Sequence, residues 1–100
     1  MPAQPRQETK TVVLTRTPKL YRVVLHNDNY TQMDFVVSLL VRVFHKDERE
    51  ASAIMMEVHR QGAGTAGVFT YDIAVTKKAQ ADRMALEAEF PLLITVEEAE

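Results

Sequence analysis

The sequence predicts a small α+β domain in which a three-stranded antiparallel sheet packs with three helices in the order β-α-α-β-α-β. Three observations predict this class. Short segments of alternating side chains are separated by longer segments whose apolar residues recur every three or four positions. The chain has 100 residues, which is enough for one domain. Its composition, 46% hydrophobic and 26% charged, is that of a globular protein.

The N-terminal part differs from the rest. Residues 1–18 hold three of the four prolines and predict a flexible extension, and residues 19–100 then form the core domain. Residues 20–25 predict the first strand, and because both its faces are apolar it is expected to be central in the sheet.

Two capping boxes predict the next two helices. Thr31 and Asp34 fit the pattern T-x-x-D and predict a helix from Gln32 to about residue 44. This helix has more apolar surface than one core contact would use. Asp47 and Glu50 fit D-x-x-E and predict a second helix that runs to about residue 60.

The last third of the chain predicts strand, helix and strand. Glycines end the second helix and lead into a strand at about residues 66–74. Thr76 is expected to cap a third helix at about residues 77–89, which Pro91 stops. Residues 92–96 predict the closing strand.

Composition excludes several classes of function. The chain has no cysteine, so disulfides, thiolate metal sites and cysteine nucleophiles are absent. A net charge of −2 gives no reason to expect nucleic acid as a partner. No apolar segment is long enough for a membrane span or a secretory signal, so we expect a cytoplasmic protein without a membrane partner. No nucleophile, phosphate-loop or zinc motif is found, and we predict no enzyme, no catalytic residue, no metal and no cofactor.

The segment HNDNYTQMDF, residues 26–35, is richer in polar groups than a turn requires. Taken alone, Asn27, Asp28 and Asn29 indicate a turn with Asx motifs. Taken alone, His59 on the apolar face of the second helix indicates a core histidine. Together with the apolar first helix they predict a pocket that is apolar below and rich in acceptors at its rim. Such a pocket fits an ammonium beside a large apolar side chain, as at the N-terminus of a peptide.

Four segments carry a family resemblance. YRVVLHNDNYTQMDFV, MMEVHRQG, GVFTYDIAVTKKA and PLL occur in this order and resemble the ClpS family, covering about residues 19–97. ClpS proteins are bacterial adaptors of the N-end rule. The resemblance implies a domain that binds destabilising N-terminal residues, Leu, Phe, Tyr or Trp, and delivers the substrate to the AAA+ unfoldase ClpA of the ClpAP protease.

The resemblance also implies site residues. Asn27 and His59 accept hydrogen bonds from the α-amino group, with Asp28 and Asn29 in the same turn. His59 must be neutral at the nitrogen that faces the amine. Met33 stands at the mouth and excludes β-branched first residues. The full side-chain pocket is implied to consist of Thr31, Met33, Val36, Met55, Val58 and Leu92.

A second surface is implied to dock on the N-terminal domain of the unfoldase through Asp72, Thr76 and Lys77. Val75 stands at a position of this surface where the family has a second Glu. The resemblance also implies that the flexible residues 1–18 reach the unfoldase pore. The adaptor itself is expected to be a monomer.

Other interpretations remain. Asn29 replaces a family acid and Gln32 a family proline, so one alternative is a divergent paralogue with a narrowed or altered N-terminal specificity. Another alternative is an interaction domain without an amine pocket, similar to the C-terminal domain of the ribosomal stalk protein. A small enzyme is a third, although no titratable pair has useful spacing.

Overall fold

Six elements follow one another in the predicted order in the computed structural model, which describes residues 17–99. This confirms the α+β class. The predicted extension falls outside the described residues except for its last two positions. The elements are β1 (Leu20–His26), α1 (Met33–Arg42), α2 (Glu48–Gln61), β2 (Ala63–Thr70), α3 (Tyr71–Glu87) and β3 (Leu93–Glu98).

The sheet has the strand order β2-β1-β3, and β1 is antiparallel to both neighbours. The prediction that the first strand is central is therefore confirmed. A central strand exposes neither edge and little of either face, which explains why Val23, Val24 and Leu25 are all buried.

The core lies between the sheet and the helices. α2 packs on α1 and β2, and α3 packs against all three strands. Fully buried side chains come from both layers, and burying each is worth roughly 1.5–3 kcal/mol. The largest of them are Leu25, Leu39, Leu40, Ile94 and Val23.

The two predicted capping boxes have different outcomes. At α2 the Asp47 carboxylate accepts a hydrogen bond from the Glu50 N–H at 2.8 Å, as predicted. At α1 the prediction was wrong, because the N-cap residue is Gln32 and its side chain makes no capping bond. The Thr31 hydroxyl and backbone N–H both donate to the Asp28 carboxylate, on the N-terminal side of the turn.

The boundary between β2 and α3 also differs from the prediction. The strand starts at Ala63 and ends at Thr70, and the helix begins at once with Tyr71. Thr76 is not a cap; it lies inside α3, where its hydroxyl donates to the Asp72 carbonyl at 2.9 Å. The reason is non-local. Thr70 pairs with Leu20, where β1 begins, so the backbone beyond has no strand partner and forms helical hydrogen bonds.

α3 ends at Glu87, before Pro91, in a Schellman turn. The Phe90 N–H donates to the Ala85 carbonyl and the Glu89 N–H to the Leu86 carbonyl, both at 3.0 Å. Glu89 has φ 63°, in the left-handed region where glycine is usual.

Within residues 17–99, none of the three helices has the length and apolar character needed to cross a membrane.

Candidate functional site

Asp28 organises the turn between β1 and α1. Its Oδ1 accepts hydrogen bonds from the Tyr30 N–H at 2.8 Å and the Thr31 N–H at 2.7 Å, and its Oδ2 accepts from the Thr31 hydroxyl at 2.8 Å. Asp28 is half-buried, whereas Asn27 and Asn29 on either side are exposed. One carboxylate therefore shapes the turn and leaves the two amide side chains facing outward.

The charge of Asp28 is preserved in this position. Burial raises the pKa of its carboxyl, but the hydrogen bonds from Thr31 and Tyr30 outweigh burial and hold the pKa below its ordinary value. Asp28 is therefore an anion at neutral pH, beside the exposed amides.

The end of α2 is attached to this turn by the backbone. Gly62 caps α2 with φ 92°, a left-handed conformation in which glycine has no steric cost. Its carbonyl accepts a hydrogen bond from the Asn27 N–H at 2.9 Å. Because His59 lies in the last turn of α2, this bond brings its exposed imidazole beside the turn.

β2 then passes directly under α2. A Cβ built on Gly64 would lie 2.8 Å from Val58 Cγ2, so only glycine allows this approach. The close contact fixes the last turn of α2, and with it His59, against the sheet.

The turn and the helix end together form an open depression of about 390 Å³. Its polar lining consists of amide and carboxylate oxygens and an imidazole, which accepts a hydrogen bond when neutral. Met33, 42% exposed, supplies an apolar edge. The depression can accommodate a small cation beside an apolar group. It is lined by Asn27, Asp28, Asn29, Tyr30, Thr31, Gln32, Met33 and His59.

The structure thus brings together all four residues predicted for the amine and two of the six predicted for the side-chain pocket. The other four lie deeper. Val36, Val58 and Leu92 are 5%, 3% and 8% exposed and belong to the hydrophobic core, and Met55 is half-buried against that core. Sequence reasoning missed Tyr30 and Gln32 in the lining, and their position within the turn was the available signal.

The predicted docking residues lie at the start of α3. Asp72 and Thr76 are exposed and, four positions apart, share one helix face. Lys77 is half-buried, and its ammonium donates to the Val43 carbonyl at 2.8 Å, which joins α3 to the end of α1.

Two other histidines lie outside the depression. His26 Nε2 is 2.8 Å from the Thr95 hydroxyl on the neighbouring strand. His45 follows α1 with φ 58°. Among residues 17–99 no three His, Asp or Glu side chains are grouped so that they could hold a metal ion.

Comparisons with known protein families and with individual relatives point to the same family. The family model "ATP-dependent Clp protease adaptor protein ClpS" matches residues 16–95. The chain is 54% identical to the ClpS adapter of Syntrophus aciditrophicus over 81 residues, which cover 81% of this chain and 76% of that protein. It is 51% identical to the ClpS adapter of Acetivibrio thermocellus over 94 residues, 88% of this chain and 95% of that protein.

Among solved structures, Agrobacterium tumefaciens ClpS2 bound to L-phenylalaninamide superposes with a TM-score of 0.80 and 42% sequence identity. The match covers 83% of this chain and 100% of that chain.

Proposed function

Since the chain belongs to the ClpS family of Clp protease adaptors, we propose that it binds N-degron substrates and delivers them to the ClpA unfoldase of ClpAP. It recognises the free N-terminal amine and a large hydrophobic first side chain, Leu, Phe, Tyr or Trp. It works in the cytoplasm as a monomer and makes or breaks no bond itself.

The observation that carries this proposal is the depression in which Asn27, Asp28 and Asn29 lie beside His59. An ammonium has three donors and no acceptor, and this lining offers acceptors. The related ClpS2 structure holds phenylalaninamide, which combines a free α-amine with an aromatic side chain.

The first side chain is proposed to enter beside Met33. That side chain is 42% exposed at the edge of the depression, where a branch at Cβ of the ligand would collide with it. Beyond it, the proposed pocket uses apolar groups of the core and its margin, together with the hydroxyl-bearing Thr31. These are Thr31, Val36, Met55, Val58 and Leu92.

The expected affinity follows from few contacts. Burying a Leu or Phe side chain is worth roughly 1.5–3 kcal/mol, and each hydrogen bond to the ammonium about 1.5–3 kcal/mol. After the entropy cost of association, one buried side chain and two or three such bonds give a binding free energy of about −8 kcal/mol, which corresponds to a Kd near the micromolar scale.

Fluorescence anisotropy with three labelled peptides tests the proposal. One begins with Phe, the second is the same peptide N-acetylated, and the third begins with Val. Acetylation removes the charge and two donors, so we expect at least about a tenfold loss of affinity, and weak binding of the Val peptide. Equal binding of the free and acetylated peptides would refute an amine site.

A pair of histidine variants gives the matched control. His59→Ala should reduce the difference between free and acetylated peptides, because one of the proposed acceptors is lost. His45→Ala, a change of the same chemistry outside the depression, should leave it intact.

Delivery requires a second surface, for which we propose Asp72, Thr76 and Lys77. Lys77→Glu should weaken binding to ClpA without changing the Kd for the Phe peptide. Deletion of residues 1–18 should likewise leave peptide binding intact and impair degradation of a substrate by ClpAP. Loss of peptide binding on deletion would instead assign that segment to the pocket.

A second candidate keeps the site and narrows or alters its specificity. With Asn29 in place of an acid, Asp28 is the only carboxylate that the described part of the chain contributes to the depression, and three hydrogen bonds from Tyr30 and Thr31 already use it. The amine then depends more on Asn27 and His59. Asn29→Asp should tighten binding of all the N-degron peptides if the missing charge matters, and unchanged affinities would remove the basis for this alternative.

A further inference from the structure

Two depressions flank the middle of α3. The first, about 380 Å³, lies between α3 and the end of α1. The second, about 520 Å³, is bordered by Val75, Thr76 and Ala79. Gln80 and Arg83 line both, so the two depressions form one continuous surface.

The first depression is strongly basic. Arg42, Lys77 and Arg83 line it together with His45, and among residues 17–99 Glu87 is the only acid in its lining. Residues 17–99 as a whole carry nine Lys and Arg against twelve Asp and Glu. The local charge is therefore opposite to that of the domain that surrounds it, and it favours an acidic ligand.

The arginines of this depression have no internal partner in the described part of the chain. The half-buried bases Arg22, Lys46 and Lys78 form ion pairs with nearby carboxylates. Within residues 17–99, no carboxylate oxygen comes within 4.0 Å of the guanidinium of Arg42 or Arg83. Both charges are thus available to a carboxylate from outside.

The wall that carries these charges is held in place. The Lys77 ammonium donates to the Val43 carbonyl at 2.8 Å, and the Lys46 N–H donates to the Leu40 carbonyl at 3.1 Å across the left-handed turn at His45. The basic depression is therefore preformed, which reduces the entropy that a ligand must overcome.

The second depression adds apolar surface. Val75 lines it and is 40% exposed, and Ala79, one helical turn on, is exposed as well. A small free anion would use only the basic depression and leave this surface uncovered. A protein segment that carries both acidic and apolar side chains uses both.

Resting on the proposed function, we infer that the docking surface extends from Thr76 and Lys77 along α3 to Arg83 and across to α1. It takes a segment of the ClpA N-terminal domain in which acidic residues flank an apolar side chain. The carboxylates lie against Arg42, His45 and Arg83, and the apolar side chain lies against Val75 and Ala79.

Charge reversal tests the inference with the full chain and the ClpA hexamer, both purified, with the adaptor labelled for anisotropy. The variants are Arg83→Glu, Arg42→Glu and Ala79→Asp. Arg49→Glu is the matched control, since it reverses an exposed charge on α2 away from both depressions. Binding of the Phe peptide is measured for each variant and shows that the fold and the amine site are intact.

Arg42→Glu and Arg83→Glu should each weaken binding to ClpA by about fivefold, the upper range for loss of an exposed ion pair. Ala79→Asp should also weaken it, because it sets a carboxylate against the apolar side chain of the segment. Arg49→Glu should change it less than twofold. Raising the salt concentration from about 50 to about 300 mM should weaken the unaltered chain more than the double variant Arg42→Glu/Arg83→Glu.

Two results would overturn the inference. If Arg42→Glu and Arg83→Glu bind ClpA as the unaltered chain does while Lys77→Glu does not, docking is confined to the start of α3, and the adaptor proposal stands. If the unaltered chain fails to bind ClpA at all, both the extended surface and delivery to ClpA are refuted.

Discussion

Removing the Asp28 carboxylate should loosen the turn that carries the proposed amine site. Asp28→Ala removes all three hydrogen bonds, from Tyr30 N–H, Thr31 N–H and the Thr31 hydroxyl. A hydrogen bond to a charged group is worth about 1.5–3 kcal/mol, and a neutral one about 0.5–1.5 kcal/mol. Because Asp28 is only half-buried, water replaces part of this, and we expect a net loss of about 2–3 kcal/mol.

Asp28→Asn separates the charge from the geometry. The amide oxygen still accepts from both backbone N–H groups, but an NH₂ group cannot accept from the Thr31 hydroxyl. We expect a loss of about 1 kcal/mol for this variant. In a domain of this size 1 kcal/mol lowers Tm by roughly 4–8 °C, so the two variants are easily distinguished.

Thermal unfolding followed by circular dichroism gives the stabilities, and anisotropy with the Phe peptide gives the affinities. Asn29→Ala is the control within the same turn. Its side chain is exposed and makes no hydrogen bond to another residue in the range 17–99, so the free energy of unfolding should change by less than about 0.5 kcal/mol. An equally small change for Asp28→Ala would show that the turn keeps its shape without the carboxylate.

Three further predictions concern stability. The pKa of the Asp28 carboxyl is lower in the folded than in the unfolded state, so the carboxylate stabilises the fold at pH above its unfolded-state pKa of about 3.9. This stabilisation is lost as the pH falls through the folded-state pKa. The urea midpoints of the unaltered chain and of Asp28→Asn should therefore converge in acid. Glu89→Gly should raise the free energy of unfolding in urea by about 0.5–1 kcal/mol. A φ of 63° costs a non-glycine residue about 1–2 kcal/mol, and the greater backbone entropy of glycine in the unfolded chain offsets part of this gain. Gly64→Ala should lower the free energy of unfolding by about 1–3 kcal/mol, because the new Cβ would lie 2.8 Å from Val58 Cγ2. A stabilising effect would show that α2 is free to move away.

Local patterns predicted the order of the elements, and they did so where the signal was strong. Asp47 and Glu50 mark the start of α2 because a cap acts on the N–H groups within its own turn. The central position of β1 followed from apolar residues on both its faces. Such features depend on residues that are close in sequence or on one strand alone.

The errors arose where a distant partner decides. Phe69, Tyr71 and Ile73 alternate as in a strand, but the strand stops where β1 offers no further partner, and α3 begins there. Asp28 and Asp34 each lie three positions from Thr31, and the capping motif favoured Asp34, whereas Thr31 bonds to Asp28. Only the folded turn shows which acceptor is used.

The candidate site was predicted in the same uneven way. The resemblance assigned Asn27 and His59 to one site, and the structure places both in one depression. The burial of Val36 and Val58 within the core was not readable from spacing, because the same apolar positions serve a pocket or a core. The basic surface on α3 was missed because Arg42 and Arg83 are far apart in sequence.

The hydrogen bond from the Asn27 N–H to the Gly62 carbonyl bears on when the site can form during synthesis. A chain that has emerged only as far as residue 61 contains all four residues proposed for the amine, but neither the carbonyl that joins the two halves nor the strand that supports them. If the chain has the proposed function, the amine site is therefore complete only after Gly62 and β2 have been made. The rate at which the Asn27 amide exchanges with deuterium measures how firmly the two halves are joined, without any ligand present.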